Sequence, residues 1–322
     1  MIISKTPFRI SFAGGVSDLR DYYQHSYGSV VSTSINKYIY VTVNRKFDNK
    51  IRVSYSKTEI VPNVKDIKHP IVREGLKLTK LDGGIEITTI ADIPAGTGLG
   101  SSSAFTVSLL NALYAFNGEH KGAEELAKQA CKIEIDILKE PIGKQDQYAC
   151  AYGGLNHIKF NSDESVFVNP VISKKETKKE LDSNLLLFYT GINRKASTIL
   201  SESKQNMVKL RDHVDKLRDL SEEMATALRK NDLSSFGELL HKAWQFKKQT
   251  GKVTNAEIDR YYEKARSAGA VGGKILGAGA GGFLLIYCEK THQKKVKYKL
   301  KNLKETTFHL EPQGSRIIYV ED

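Results

Sequence analysis

Cysteines and long apolar runs are scarce in this chain of 322 residues. The three cysteines, Cys131, Cys150 and Cys288, are odd in number and show no paired spacing, which argues against a disulfide framework and a zinc site. No apolar run reaches the ~20 residues that a membrane-spanning helix needs. We therefore expect a soluble, cytoplasmic protein with reduced thiols and no membrane contact.

Acidic residues are also in deficit, because 37 Asp and Glu stand against 49 Lys and Arg, giving a formal net charge of +12. This balance favours anionic partners such as nucleotides, sugar phosphates, nucleic acid or acidic lipid. The lysine-rich stretches 174–179 and 294–304 contain no interleaved aromatic residues of the kind that line a nucleic-acid groove. They are typical of solvated helix faces, and we expect no nucleic-acid partner.

The order of predicted elements indicates an α+β protein, and the length of the chain indicates two domains. The lysine-rich segment 174–179 places the predicted boundary near residue 180, which gives domains 1–180 and 181–322. In the first domain, strands come before helices; in the second, a long helical region lies between strands. The predicted strands are 6–12, 30–43, 51–55, 85–90, 153–160, 185–189, 282–288, 307–310 and 316–320. The predicted helices are 104–116, 123–138, 197–230, 234–249, one that Asn255 caps and that stops near residue 269, and 292–303.

The glycine-serine run 94–104 precedes an apolar helix and predicts a phosphate cradle. Glycines let backbone N–H groups approach an anion, and the helix N-terminus adds unpaired donors and a positive dipole end. The spacing fits neither the Walker pattern nor the dinucleotide fingerprint. A plain tight turn is the alternative interpretation of such a run.

Three carboxylates stand out near this run. Glu134 falls on the apolar stripe of the helix 123–138, so it needs a partner, which an ion pair or a metal ion would supply. Asp146 lies in a predicted loop just past that helix, and Asp18 lies in a glycine turn after the first strand. Each aspartate alone is also an ordinary turn residue.

A second glycine-rich segment, 272–282, precedes a strand. It is either a flexible connection or backbone that must approach a ligand closely.

Together these segments resemble the three signatures of the GHMP kinase superfamily, at 6–19, 94–104 and 273–282. The resemblance implies an N-terminal domain with a left-handed βαβ crossover, a ferredoxin-like C-terminal domain, and ATP and Mg²⁺ as cofactors. It implies Asp146 and Arg9 as catalytic residues, and Ser102 and Glu134 as metal ligands. The residues implied to bind the ATP phosphates are Gly96, Gly98, Leu99, Gly100, Ser101, Ser102 and Ser103.

Within that superfamily, the sequence resembles the branch of the D-glycero-D-manno-heptose 7-phosphate kinases at 6–15, 143–149 and 189–194. Gly15 and Val16 stand where the galactokinases have Glu and His, and a glycine there leaves room for a longer, phosphorylated sugar. The resemblance implies phosphorylation of the anomeric hydroxyl, for nucleotide-activated heptose and surface polysaccharide. Substrate-binding candidates are Gly14, Gly15, Asp18, Lys144, Arg194, Gly277 and Gly279.

The expected partners are a sugar phosphate substrate and, as a candidate homodimer, a second copy of the chain. A fucokinase or another anomeric sugar kinase is the alternative within the superfamily. A non-catalytic RNA-binding or sugar-sensing protein is the alternative from another class, but such a protein has no need for a carboxylate on an apolar helix stripe beside a glycine cradle.

Overall fold

The computed structural model describes residues 1–192, 201 and 206–321. Within these ranges the chain forms two β-sheets covered by helices. The strands are β1 (Ile2–Ala13), β2 (Tyr27–Arg45), β3 (Ile51–Ser54), β4 (Thr58–Val61), β5 (Ile85–Ala91), β6 (Leu155–Asn161), β7 (Val166–Pro170), β8 (Leu185–Tyr189), β9 (Gly272–Ile275), β10 (Phe283–Tyr287), β11 (Lys304–Glu305) and β12 (Arg316–Val320). The helices are α1 (Arg20–Tyr23), α2 (Pro70–Thr79), α3 (Ser101–Phe116), α4 (Ala123–Cys131), α5 (Gln145–Tyr152), α6 (Lys175–Asn184), α7 (Met207–Arg229), α8 (Leu233–Lys248), α9 (Ala256–Ser267) and α10 (Lys290–Lys299), with a 3₁₀ turn at Val64–Asp66 and a π-helical turn at Lys132–Ile137.

The first sheet runs in the order β12-β1-β2-β5-β3-β4, and β6 and β7 extend it from β2. Strand β2 is 19 residues long, so it pairs with β1 over most of its length, with β5 near its C-terminal end and with β6 near its N-terminal end. Helix α3 packs on β1 and β2 and is buried from Ser103 to Tyr114. An apolar sequence on nearly every side of a helix predicts this degree of burial.

One pair in this sheet, β3 with β5, is parallel, and the chain between them passes through β4 and α2. The second sheet is antiparallel and runs in the order β11-β8-β10-β9. Counted along the chain, that order is fourth, first, third, second, with α7 to α9 between the first two strands and α10 before the last. This is the ferredoxin-like arrangement, so the expected two-domain α+β fold is confirmed.

The C-terminal strand β12 pairs with β1 and therefore belongs to the first sheet. The segment before β12 also lies on the first domain, where the backbone N–H of Glu311 donates to the carbonyl of Ser34. The division at residue 180 stays a prediction. The strand pairing shows that the last residues of the chain return to the first domain after the second domain is complete.

Helices α7 and α8 are joined by residues 230–232 and pack against each other, as the apolar spacing of the first helix predicts. Val214, Leu217, Met224 and Leu228 are fully or almost fully buried on α7. None of the helices in the described ranges is long and apolar enough to cross a bilayer.

Several local predictions are wrong or incomplete. Residues 307–310 are not a strand apart from one isolated bridge between Ile35 and Leu310, because the strand that pairs with β8 is β11, three residues earlier. The helix predicted over 123–138 turns π-helical after Cys131. Asp146 lies on a helix, α5, and not in a loop. Elements β4, β7, β9, α1, α2 and α6 were not predicted, and residues 197–200 and 202–205 of the predicted helix 197–230 lie outside the described residues.

Candidate active site

A cavity of about 180 Å³ lies where the two domains meet. Its walls come from the turn after β1, the run before α3 and the start of α5 on one side, and from α8, β9 and the glycine-rich segment after β9 on the other. Every one of the three segments singled out in the sequence contributes to this wall. The fold therefore brings together residues that are up to about 270 positions apart.

Close contact between two glycine segments closes one side of the cavity. A Cβ added to Gly98 would lie 2.5 Å from the carbonyl oxygen of Leu276, and one added to Gly277 would lie 2.5 Å from the Cα of Gly98. Both glycines have positive φ, +86° and +65°, which side chains disfavour. The two backbones can approach this closely only because neither residue carries a side chain.

The glycine-serine run leads into the N-terminus of α3, with Gly100 at the N-cap. Gly96, Gly98, Gly100 and the first three residues of α3, which are serines, all line the cavity. The hydroxyl of Ser101 is buried and has no hydrogen-bond partner among the described residues. Unpaired N–H groups of the first helical turn and a positive dipole end make this a cradle suited to phosphate.

Leu99 does not share this exposure. Its side chain is fully buried in the core, and its backbone carbonyl accepts a hydrogen bond from the N–H of Arg9. Leu99 therefore attaches the predicted cradle to β1 and does not line the cavity.

Glu134 is 1% exposed and points into the same region from the π-helical turn. The Ser102 hydroxyl donates to its Oε1 at 2.7 Å, and the Gln147 side chain donates to its Oε2 at 2.7 Å. Burial raises the pKa of Glu134 to about 6, and these hydrogen bonds act in the opposite direction. No cation pairs with it in the described part of the chain.

This donor set fits a magnesium ion. Mg²⁺ prefers oxygen ligands and is commonly held by one or two carboxylates together with substrate phosphates. Glu134 and the hydroxyl of Ser102 supply a carboxylate and a neutral oxygen beside the phosphate cradle. A buried carboxylate with hydroxyl and amide partners alone carries a net charge that a bound cation would compensate.

Arg9 and Asp146 form an ion pair at the cavity wall. The Nε and one terminal nitrogen of Arg9 each lie 2.7 Å from Oδ1 of Asp146, and the other terminal nitrogen donates to the carbonyl of Gly98 at 2.8 Å. Both contacts end on Oδ1, while Oδ2 lies 3.4 Å from the position of a Cβ on Gly100. The second carboxylate oxygen is thus held next to the cradle.

Asp18 is buried beneath the turn that follows β1. Its carboxylate accepts hydrogen bonds from the backbone N–H of Val16 at 3.1 Å and of Gln145 at 3.2 Å, and from the Gln145 side chain at 3.0 Å. Burial and the nearby charge of Asp146 raise the pKa of Asp18 to about 6. Asp18 therefore ties the glycine turn to the start of α5 and also borders the cavity.

Of the four glycines predicted to bind substrate, three line the cavity and one does not. Gly15, Gly277 and Gly279 line the cavity. Gly14 packs its backbone against β2, since a Cβ there would lie 1.8 Å from the carbonyl oxygen of Ser29.

One predicted contact, Lys144, does not line the cavity. Lys144 forms an ion pair with Glu164 and lies 4.8 Å above the ring of Tyr23, so its ammonium is already neutralised. Arg194 lies outside the described residues.

Two lysines on the cavity wall, Lys247 and Lys274, were not predicted. Lys247 lies three and four residues after Trp244 and Ala243, which are buried on α8. A lysine on an apolar helix stripe is the same signal that identifies Glu134, and it could have been read from the sequence. Lys274 stands within the glycine-rich segment and carries no comparable periodic signal.

Two family models match parts of the chain. The family model described as "GHMP kinases N terminal domain" matches residues 67–154, and the one described as "GHMP kinases C terminal" matches residues 224–305. The first range contains the cradle, Glu134 and Asp146, and the second contains Lys247 and Lys274.

Individual relatives cover almost the whole chain. It is 32% identical over 308 residues to the D-glycero-alpha-D-manno-heptose 7-phosphate kinase of Campylobacter jejuni, a match that covers 90% of each protein. It is 27% identical over 331 residues to an L-fucokinase/L-fucose-1-P guanylyltransferase of Bacteroides fragilis, a match that covers 89% of this chain and 34% of that protein. A crystal structure of a D-glycero-D-manno-heptose 1-phosphate kinase from Bacteroides thetaiotaomicron aligns over 100% of both chains with a TM-score of 0.83 and 26% identity.

The raised pKa of Asp18 predicts a pH-dependent cost of burying its charge. The folded protein binds this proton more tightly than the unfolded chain, so the stability contributed by the group is lost as pH rises from about 4 to about 6. Asp18→Asn removes the charge, and we expect its free energy of unfolding relative to wild type to increase by roughly 2 kcal/mol between pH 4 and pH 8. Urea denaturation of both proteins at both pH values measures this change. A loss of hydrogen bonds in the variant that is the same at both pH values does not affect it.

Asp66→Asn, at an exposed aspartate, is the matched control and should show a difference that stays flat with pH. A flat profile for Asp18→Asn as well would show that the carboxylate is not destabilised by burial.

Proposed function

The chain belongs to the GHMP kinase family and is a sugar kinase of that family, and from this premise we propose that it transfers the γ-phosphoryl group of ATP to the anomeric hydroxyl of D-glycero-D-manno-heptose 7-phosphate. The product is the 1,7-bisphosphate, an intermediate toward nucleotide-activated heptose and surface polysaccharide. The observation that carries the proposal is the pairing of Asp146 with Arg9 directly beside the phosphate cradle.

Phosphoryl transfer requires mainly positioning and charge neutralisation. In this reaction the acceptor oxygen bonds to the γ-phosphorus, the bond from that phosphorus to the β–γ bridging oxygen breaks, and ADP leaves. Oδ2 of Asp146 is the atom that accepts the hydroxyl proton, because Oδ1 already receives two bonds from Arg9. Arg9 fixes the orientation of the carboxylate and also joins it to the cradle through the carbonyl of Gly98.

The cradle holds the triphosphate. Gly96, Gly98, Gly100 and the three serines at the N-terminus of α3 line the cavity, and hydrogen bonds from backbone N–H groups to phosphate oxygens are charge-assisted. Ser102 and Glu134 would hold Mg²⁺, which when bound neutralises the charge of the β- and γ-phosphates. Gln147 orients Glu134 from the opposite side of the carboxylate.

Two observations support the choice of acceptor: the names of two relatives, and the open space beside Gly15 in the first signature. The relatives from C. jejuni and B. thetaiotaomicron both have names that place a phosphate on a heptose, although on different carbons. Around Gly15 the cavity is open, because the nearest atom to a Cβ added there would be the Gln145 side-chain nitrogen at 3.8 Å. An open site at this turn gives room for a sugar longer than a hexose.

An acceptor panel tests the proposal. With ATP and Mg²⁺, we expect D-glycero-D-manno-heptose 7-phosphate to have the highest kcat/KM in an ADP-release assay, above the heptose 1-phosphate, L-fucose and galactose. The product should carry its new phosphate at the anomeric carbon by ³¹P NMR. Faster turnover of L-fucose or another free sugar would contradict the heptose assignment. Turnover of the heptose 1-phosphate alone would show that the acceptor carries its phosphate at carbon 1 and that another hydroxyl is phosphorylated.

Asp146→Asn tests the proton acceptor. A neutral amide cannot take the hydroxyl proton, so we expect kcat to fall by about 10²- to 10⁴-fold. The KM for ATP should change little, since the cradle is untouched. Asp136→Asn, at a partly exposed carboxylate that pairs with Arg20, is the control and should retain full turnover. Unchanged kcat in Asp146→Asn would remove this residue from the reaction.

Glu134→Gln tests the metal site. The variant keeps the shape of the side chain but loses the negative charge, so the Mg²⁺ concentration for half-maximal activity should rise by about 10- to 100-fold. Because burial raises the pKa of Glu134 to about 6, protons should compete with Mg²⁺ in the wild type as pH falls through that value. That pH dependence should disappear in Glu134→Gln, and its persistence would contradict the assignment of Glu134 as a ligand.

A further inference from the structure

Two lysine ammonium groups lie in the cavity wall and have no role in the mechanism above. Lys247 comes from α8 and Lys274 from β9, so both belong to the second domain. They are 6% and 4% exposed, yet both line the cavity. Lysine is almost never buried to this extent unless it is paired.

Neither ammonium has an ionic partner within the described ranges of the chain. Lys247 donates to the carbonyl of Gly277, and Lys274 donates to the carbonyl of Phe12 at 3.0 Å. An ammonium group has three donors, so each retains hydrogen-bonding capacity. Lys144, which is equally buried, shows the contrast, because it forms an ion pair with Glu164.

The two charges also repel each other. Burial lowers the pKa of Lys274 well below its ordinary value, and the charges of Lys247 and Arg9 lower it further. Burial lowers the pKa of Lys247 to about 8; Arg9 lowers it too, while Asp18 and Asp146 raise it. Two buried cations beside a third destabilise the ligand-free fold unless an anion enters between them.

Arg9 is the third cation on this wall, but its charge is already paired with Asp146, and it also donates to the carbonyl of Gly98. An anion that enters the cavity from the side of the second domain therefore meets Lys247 and Lys274. Both lysines lie near the part of the cavity that holds Asp18 and Asp146. Lys274 donates to a carbonyl at the end of β1, just before the turn that contains Asp18. Lys247 interacts electrostatically with Asp18 and Asp146.

We propose that Lys247 and Lys274 form a subsite for a phosphomonoester group that the acceptor sugar already carries. This rests on the proposed function, in which the acceptor is a sugar phosphate. A phosphomonoester dianion supplies three acceptor oxygens and about two negative charges, which match the two spare ammonium groups. The ATP phosphates are served separately by the cradle at the N-terminus of α3.

Neutral variants of both lysines test the subsite. Lys247→Met and Lys274→Met remove the charge and keep an apolar side chain suited to burial. In each, we expect the preference for heptose 7-phosphate over the unphosphorylated heptose, taken as the ratio of the two kcat/KM values, to fall about 10- to 100-fold. The KM for ATP should stay within about twofold of the wild-type value.

The control is Lys248→Met, one residue further along α8, where the ammonium pairs with Asp259 at 3.7 Å and does not line the cavity. It should keep the wild-type acceptor preference. A rise in the KM for ATP in the two test variants, with the acceptor preference intact, would assign the lysines to the nucleotide and overturn the proposal. An unchanged preference would overturn it as well.

Thermal unfolding separates this proposal from the choice of sugar. Without ligand, Lys274→Met should have a higher Tm than wild type, because a buried unpaired charge is removed. Heptose 7-phosphate, and inorganic phosphate at higher concentration, should raise the Tm of the wild type more than that of the Lys247→Met/Lys274→Met double variant, in which the cradle at α3 still binds phosphate. If the wild type failed to phosphorylate the heptose but kept this larger shift, the acceptor assignment would fail and the subsite would stand. Equal shifts in wild type and double variant would overturn the subsite.

Discussion

The contact between Gly98 and Gly277 determines where the two domains meet. Their backbones lie so close that a single methyl group on either one would overlap the other segment. This contact fixes the run before α3 against the segment after β9, and the cavity opens beside it. It also sets the position of Arg9, whose side chain donates to the carbonyl of Gly98 while holding Asp146.

The cavity concentrates buried charge at an energetic cost to the ligand-free protein. Asp18 and Glu134 both have pKa values raised by burial, and those of Lys247 and Lys274 are lowered by it. Each of these shifts means that the charged form is less favourable here than in water. A site that binds a nucleotide, a cation and a phosphorylated sugar would convert those unfavourable charges into ligand contacts, so the same groups that weaken the empty fold would provide its affinity.

Sequence patterns identify a buried charge well when it lies on a helix with a clear apolar stripe. Glu134 was found in this way, and Lys247 could have been, since it follows Ala243 and Trp244 on the buried side of α8. The start of α5 was missed because residues 141–147 are mostly polar, include one proline and one glycine, and lack a helical period. The π-helical turn that carries Glu134 is likewise invisible to a pattern based on 3.6 residues per turn.

The sequence alone determined the family and the α+β class, and it singled out the glycine-serine run and the carboxylates near it, because these depend on local spacing and on residue types that few other structures require. Only the tertiary structure decided which side chains share the cavity. Lys144 does not line the cavity and instead pairs with Glu164. Lys274 lies about 260 residues from Arg9 in the sequence, yet both line the cavity, because the two glycine segments pack against each other. Such contacts depend on the packing of one domain against the other, and no local pattern in the chain records that packing.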